Sequence, residues 1–138
     1  MIAFLDSSVV ARQLLGEPQR LKGWSGIAVG CASRLMPVEL GRMLDRMRLA
    51  GDIDDDDVAH LHAELRRIVR SLEIVSVTEA ILEQAAGPLL TVIGTLDAIH
   101  LVTALKLKRK RHPRLVMATH DVPLGRAARA SGFEVIGA

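Results

Sequence analysis

Short unbroken apolar runs alternate along this chain with longer segments of helical spacing. Ile2-Ala3-Phe4-Leu5 is such a run and stops abruptly at Asp6-Ser7-Ser8, as expected of a central parallel strand. A helix is predicted from Val9 to Leu15, broken by Gly16 and Pro18, and residues 19–26 read as a short helix or a loop with Trp24 packed as a lid. Ile27 to Ala32 forms a second strand. Ser33 then caps a helix that runs to Ala50 and stops at Gly51, with Leu40, Met43, Leu44 and Met47 as its apolar stripe. Pro37 fits only near the start of that helix, because an interior proline costs about 3 kcal/mol. Asp54 to Asp57 open the next helix, whose stripe is Val58, Leu61, Leu65, Ile68 and Leu72.

Glu73-Ile74-Val75 is a third strand, and Ser76-Val77-Thr78-Glu79 has the form of a capping box for a helix through Ala86, closed by Gly87-Pro88. The most apolar helix begins at Thr95-Leu96-Asp97. Thr95 caps it, Ala98, Leu101, Val102 and Leu105 form its buried stripe, and Asp97, Ala104 and Lys108 lie on another face. A strand over Leu115 to Ala118, a helix over Leu124 to Ala130 ending at Gly132, and the run Phe133 to Ile136 complete the chain. Strands alternating with helices predict a three-layer α/β/α sandwich around a mainly parallel sheet.

Composition narrows what this sandwich does. At 138 residues a single domain over residues 1–138 is expected, with on the order of 70% of its unfolded surface buried. Aromatic residues are only 2% of the chain, so the core is aliphatic and base stacking does not drive recognition. Cys31, the sole cysteine, rules out an intrachain disulfide and reads as a small buried hydrophobe. No apolar run reaches the ~20 residues that span a bilayer, and the opening residues lack a basic segment with a cleavable site, so a soluble, cytoplasmic protein with no membrane partner is expected. A net charge of +2 permits an anionic partner without requiring one.

The chemistry lies in the acidic residues at strand ends. In a parallel sheet the C-terminal strand ends share one edge, where helices that follow strands begin and where ligands bind. Asp6, Asp97 and Asp121 fall at that level, and Glu39 reaches it from an early helical turn. Taken singly, each has an ordinary alternative: Asp6 as a helix cap, Asp97 as a charge favoured by the helix dipole, Glu39 as a surface partner of Arg42 or Arg46. Taken together they need a cation, because two carboxylates ~4 Å apart repel by roughly 4 kcal/mol at an effective dielectric of 20. Oxygen-only ligands select Mg²⁺ or Mn²⁺, and the chemistry implied is metal-assisted hydrolysis of a nucleic-acid phosphodiester.

Other charged clusters carry less. In a calcium-loop register from Asp52, the glycine position is Asp57 and the bidentate glutamate position is Ala63, so Asp54 to Asp57 are a solvated helix start. His60 and His62 are two apart on a helix and face different ways, which assigns them no metal. The basic run Lys106, Lys108, Arg109, Lys110, Arg111 and Arg114 lies toward the far end of the Asp97 helix, about 18 Å from Asp97 at Arg109. It is expected to be a solvated helix terminus or a remote contact to a long RNA, not a grip on the reacting phosphate.

These segments resemble a PIN-domain ribonuclease, specifically the VapC-type toxin of a bacterial toxin–antitoxin pair. Phe4-Leu5-Asp6-Ser7-Ser8 is similar to the family's first strand and aspartate, Val38-Glu39-Leu40 to its glutamate helix, Thr95-Leu96-Asp97-Ala98-Ile99-His100-Leu101 to its most specific motif, and Thr119-His120-Asp121 to its closing aspartate. The resemblance implies Asp6, Glu39, Asp97 and Asp121 as catalytic ligands of Mg²⁺ or Mn²⁺, supported by a hydroxyl of Ser8 or Thr119. It also implies an RNA substrate, a homodimer and a small antitoxin protein as partner. The competing readings are a PIN-like RNA-processing nuclease without an antitoxin and an inactive PIN-like module that binds RNA or protein. An adhesion-type metal site fails because Val10 occupies its second serine position, and a haloacid-type phosphatase fails because Ser8 stands in place of its second aspartate.

Overall fold

A computed structural model describes residues 1–138. Five strands, β1 (Ile2–Leu5), β2 (Val29–Ser33), β3 (Glu73–Val75), β4 (Val116–Ala118) and β5 (Val135–Ile136), form one sheet in the order β3-β2-β1-β4-β5. Every pairing is parallel. The helices are α1 (Ser7–Leu14), α2 (Leu35–Leu49), α3 (Asp55–Ser71), α4 (Glu79–Ala86), α5 (Thr95–Lys110) and α6 (Val122–Ala130), with a short 3-10 turn at Trp24–Gly26. The chain builds outward from β1 through β2 to β3, then returns to add β4 and β5 on the other side of β1. The order therefore reverses between β1 and β4, the position at which open α/β sheets form a ligand crevice.

The period-two alternation of the strands divides the interior. Ala3, Leu5, Ala32 and Ala118 point to the side of α1, α2 and α3, where Val9, Leu14, Leu40, Leu44, Leu65 and Ile68 pack with them. Phe4, Cys31 and Met117 point to the opposite side and meet Leu101, Ala104 and Leu107 of α5 with Leu124 and Ala128 of α6. Trp24 packs half-buried against the first of these cores. Ile81 of α4 closes over Ile99 and Val102 of α5. The three-layer sandwich is thus present, and its sheet is wholly parallel.

Several boundaries and caps differ from the sequence expectation. Helix α1 begins at Ser7, because Asp6 caps it and accepts the Ser8 N–H. Ser33 belongs to β2, although its hydroxyl still accepts the Leu35 N–H at 3.1 Å. Thr78, not Ser76, caps α4 by accepting the Ile81 N–H, whereas the capping box expected there forms instead between Asp54 and Asp57 at α3. Thr95 is the first helical residue of α5, with Gly94 in the cap position and no side-chain cap bond. The largest difference is α5 itself. Ala98 to Ala104 are buried without a break, so Ala104 lies in the core and not on a polar face. This helix packs against α4, α6 and β2 at once, and a helix enclosed on three sides keeps no single apolar stripe.

Candidate active site

Asp6 leaves the end of β1 and enters α1 with its side chain 4% exposed. Its Oδ2 accepts the Ser8 hydroxyl at 2.5 Å and the Thr119 hydroxyl at 2.9 Å, the latter reaching across from the end of β4. Both hydroxyls also accept: Ser8 Oγ takes the His120 N–H at 3.0 Å, and Thr119 Oγ1 takes the Asp121 N–H at 3.0 Å. These bonds couple the two strand ends at the switch point. Asp121 caps α6 by accepting the Leu124 N–H at 2.7 Å through Oδ1. Capping and site membership are therefore compatible for Asp6 and Asp121, since each cap holds a carboxylate at the sheet edge. Gly137 helps to fix this edge: with φ at 97°, its position would bring a Cβ to 2.5 Å from the Thr119 carbonyl oxygen. Its own carbonyl accepts from His120 Nδ1 at 3.1 Å.

Glu39 and Asp97 approach from α2 and α5. Glu39 lies one turn into α2, after Pro37 has taken the tolerated place in the first turn. The surface pair with Arg42 is not formed; Arg42 bonds Asp45. Glu39 instead points inward, where Oε2 accepts from the Ser7 hydroxyl and contacts Nε2 of the fully buried His100 at 2.6 Å. Burial pushes the Glu39 carboxyl up, but the bonds from His100 and Ser7 outweigh it and hold the group below its usual range. For His100 burial acts downward, and the bond to Glu39 together with the charges of Glu39, Asp6 and Asp97 raises it on balance. Its Nδ1 is buried without a partner, and its ring meets Phe4 edge-on.

Asp97 has the opposite character. Burial, then the charges of Asp121 and Asp6, push its carboxyl up to about 6, with Glu39 adding to the effect and His100 opposing it. Asp6, Glu39 and Asp121, the other carboxylates named from the sequence, thus all act on Asp97. Ser7 and His100 are the participants the sequence did not assign. His100 lies three residues beyond Asp97, a spacing that places both on neighbouring parts of one helix face and was the available signal. The donor set is carboxylate and hydroxyl oxygen at an anionic, half-enclosed edge, which fits a hard divalent cation.

The three groups whose ligand atoms all lie within 4.8 Å of one another are elsewhere: Cys31, Glu73 and His112. His112 follows the C-terminal end of α5, so about 22 Å of helix separates it from Asp97. No helix of the chain is long and apolar enough to cross a membrane.

Known proteins resemble this chain over most of its length. Ribonuclease VapC47 of Mycobacterium tuberculosis (strain CDC 1551 / Oshkosh) is 28% identical over 139 residues, covering 94% of this chain and 92% of that protein. Two solved structures share the fold: VapBC2 of Rickettsia felis bound to a DNA fragment from their promoter, and PAE2754 of Pyrobaculum aerophilum. The first superposes with a TM-score of 0.62 at 13% identity, covering 98% of this chain and 97% of that one. For the second the values are 0.60, 14%, 98% and 90%. The family model of the PIN domain matches residues 3–129, a span that contains β1, the switch point and all four converging carboxylates, and the chain therefore belongs to the PIN domain family.

Proposed function

We propose that this protein is a divalent-metal-dependent endoribonuclease and the toxin of a toxin–antitoxin pair. The observation that carries the reading is Asp97, whose carboxyl is raised to about 6 by burial and by Asp121 and Asp6. Repulsion among like charges under desolvation costs stability, a cost a fold keeps where the cluster serves binding. Similarity to Ribonuclease VapC47 over 94% of the chain supports RNA as the substrate and the toxin role.

In this reading Asp6, Glu39, Asp97 and Asp121 hold Mg²⁺ or Mn²⁺. The ion, when bound, neutralises charge that develops on the scissile phosphate and makes water a better nucleophile. The protein supplies orientation. Ser8 and Thr119 both bond Oδ2 of Asp6, which fixes the plane of that carboxylate and leaves Oδ1 outside these bonds. Ser7 and His100 do the same for Glu39 through Oε2. A homodimer and a small antitoxin complete the assignment, the antitoxin presenting a cationic side chain to the cluster, since a guanidinium pairs bidentately with carboxylates.

Purified protein is expected to cleave RNA in Mg²⁺ or Mn²⁺ and to stop in excess chelator, with 5′-end sequencing of fragments showing internal cuts. Absence of cleavage by folded protein with either ion overturns the nuclease reading. Expression in a host without the antitoxin is expected to arrest growth, relieved by the co-expressed partner. If folded, RNA-cleaving protein is harmless there, the toxin reading fails and the RNA-processing alternative replaces it.

A further inference from the structure

At the edge of the sheet far from the carboxylate cluster, Cys31, Glu73 and His112 come together from β2, β3 and the residues after α5. Cys31 and Glu73 are register partners on adjacent strands, so their side chains leave the same face of the sheet. His112 Nε2 is 3.3 Å from Glu73 Oε2, and Cys31 Sγ is 3.9 Å from the same oxygen. Ligand bonds of about 2.3 Å for sulfur and about 2.0–2.1 Å for nitrogen and oxygen at tetrahedral angles require O···N near 3.4 Å and S···O near 3.6 Å. Both distances to Glu73 Oε2 are within a few tenths of an ångström of that geometry, and all three ligand atoms lie within 4.8 Å of one another. Arg111 bonds Glu73 Oε1, which turns Oε2 toward the other two ligands and supplies the kind of outer partner that orients a metal-bound carboxylate. Cys31 is fully buried, whereas the side chains of His112 and Glu73 are 18% and 26% exposed, so the site is closed at the sulfur and open to solvent at the other ligands.

We propose that Cys31, Glu73 and His112 form a second metal site, selective for Zn²⁺ and distinct from the oxygen-lined cluster, with water as fourth ligand. A thiolate, an imidazole and one carboxylate suit a borderline-soft tetrahedral ion and not Mg²⁺. Binding transfers the Cys31 proton to solvent. That proton is firmly held, since burial and then Glu73 push the thiol up to about 11, and the Zn–S bond must offset its loss. The ion would tie the C-terminal end of α5 to the β2–β3 edge, so its role is to brace the helix that carries Asp97 at its other end.

Because Cys31 is the sole cysteine, a thiolate-to-cobalt charge-transfer band is an unambiguous report on this site. Titration of the full-length protein with Co²⁺ is expected to give that band with the intense visible absorption of a tetrahedral centre, at one equivalent and reversed by Zn²⁺. His112→Gln and Glu73→Gln, shown folded by circular dichroism, are expected to weaken binding at least tenfold, while Asp121→Asn leaves it unchanged. Cys31→Ser should abolish the band; if that variant does not fold, the wild-type spectrum and the other two substitutions still decide. No thiolate band in folded wild-type protein at excess Co²⁺ overturns the proposal, as does a band of undiminished affinity in both His112→Gln and Glu73→Gln.

Discussion

The two ends of α5 carry opposite charge and treat it in opposite ways. At the N-terminal end Asp97 stands among Asp6, Asp121 and Glu39, and the net effect of burial and like charge is to raise its carboxyl to about 6. At the C-terminal end three of the six cations of the basic run find partners within the protein. Lys108 donates to the Gly132 carbonyl at 3.0 Å and stacks 4.7 Å over the Phe133 ring, Arg111 pairs with Glu73, and Lys106 reaches the Thr78 hydroxyl. Like charges crowd one end, as the proposed metal site requires; at the other, the partnered cations tether α5 to its neighbours while Arg109, Lys110 and Arg114 are exposed. Cations at a helix C-terminus are also favoured by the dipole, so that end needs no ligand to account for it.

The largest effect is expected at the acidic end. Asp97→Asn keeps the shape and removes the charge, and should lower kcat/KM on a short RNA by about a thousandfold, roughly 4 kcal/mol of transition-state stabilisation. Undiminished Mg²⁺-dependent activity in the folded mutant would remove Asp97 from the site. A smaller loss is expected one turn along. His100→Ala frees Glu39 from its buried partner and should cost about 10- to 100-fold in Mn²⁺ affinity, with His100→Gln recovering part because an amide also donates. Equal losses in the two variants would mean that His100 serves packing alone.

Stability should respond with the sign opposite to activity. An acid raised in the folded state costs stability as pH climbs from its unfolded value toward about 6, and the cost is constant above that. Asp97→Asn is therefore expected to raise the metal-free melting temperature by a few degrees at pH 7 to 8, a gain that shrinks toward zero near pH 4. Mg²⁺ or Mn²⁺ should stabilise the wild type at pH 7 and the mutant much less, by mass action on the folded state. A metal-free mutant less stable than the wild type at pH 8 would contradict the repulsion inferred here. The Glu39–His100 pair behaves differently: a raised histidine and a lowered glutamate stabilise most between their unfolded values, about 4.5 to 6.5, losing the histidine part as pH rises and the glutamate part as it falls.

The smallest effect is expected at the basic end. Arg109, Lys110 and Arg114 form no ion pair, and the first is about 18 Å of helix from Asp97. Changing all three to Gln should leave kcat on a short oligonucleotide within about twofold, with weaker binding and a shallower salt dependence only for a long RNA. A large fall in kcat on the short substrate would show that the basic end of α5 takes part in catalysis.

What the chain determined by itself is whatever depends on neighbours in sequence. Apolar runs ending in Asp6 and Asp121, helical spacing in α3, and the polar stop after each strand are local signals, and they were enough for the layered parallel architecture and for naming four carboxylates at one sheet edge. Local signals failed where burial comes from several directions at once: α5 shows a clear stripe only if one neighbour is assumed, and it has three. They also failed where partners are set by strand order and register. Nothing in the sequence separates Glu39 as a surface partner of Arg42 from Glu39 held by Ser7 and His100, because the choice depends on how α1, α2 and α5 meet. Nor does it place Cys31 beside Glu73 and His112, residues 42 and 81 positions away. Hydrogen bonds and charges act through space over a few ångströms, whereas sequence records only separation along the chain, so these contacts were decided by the tertiary fold alone.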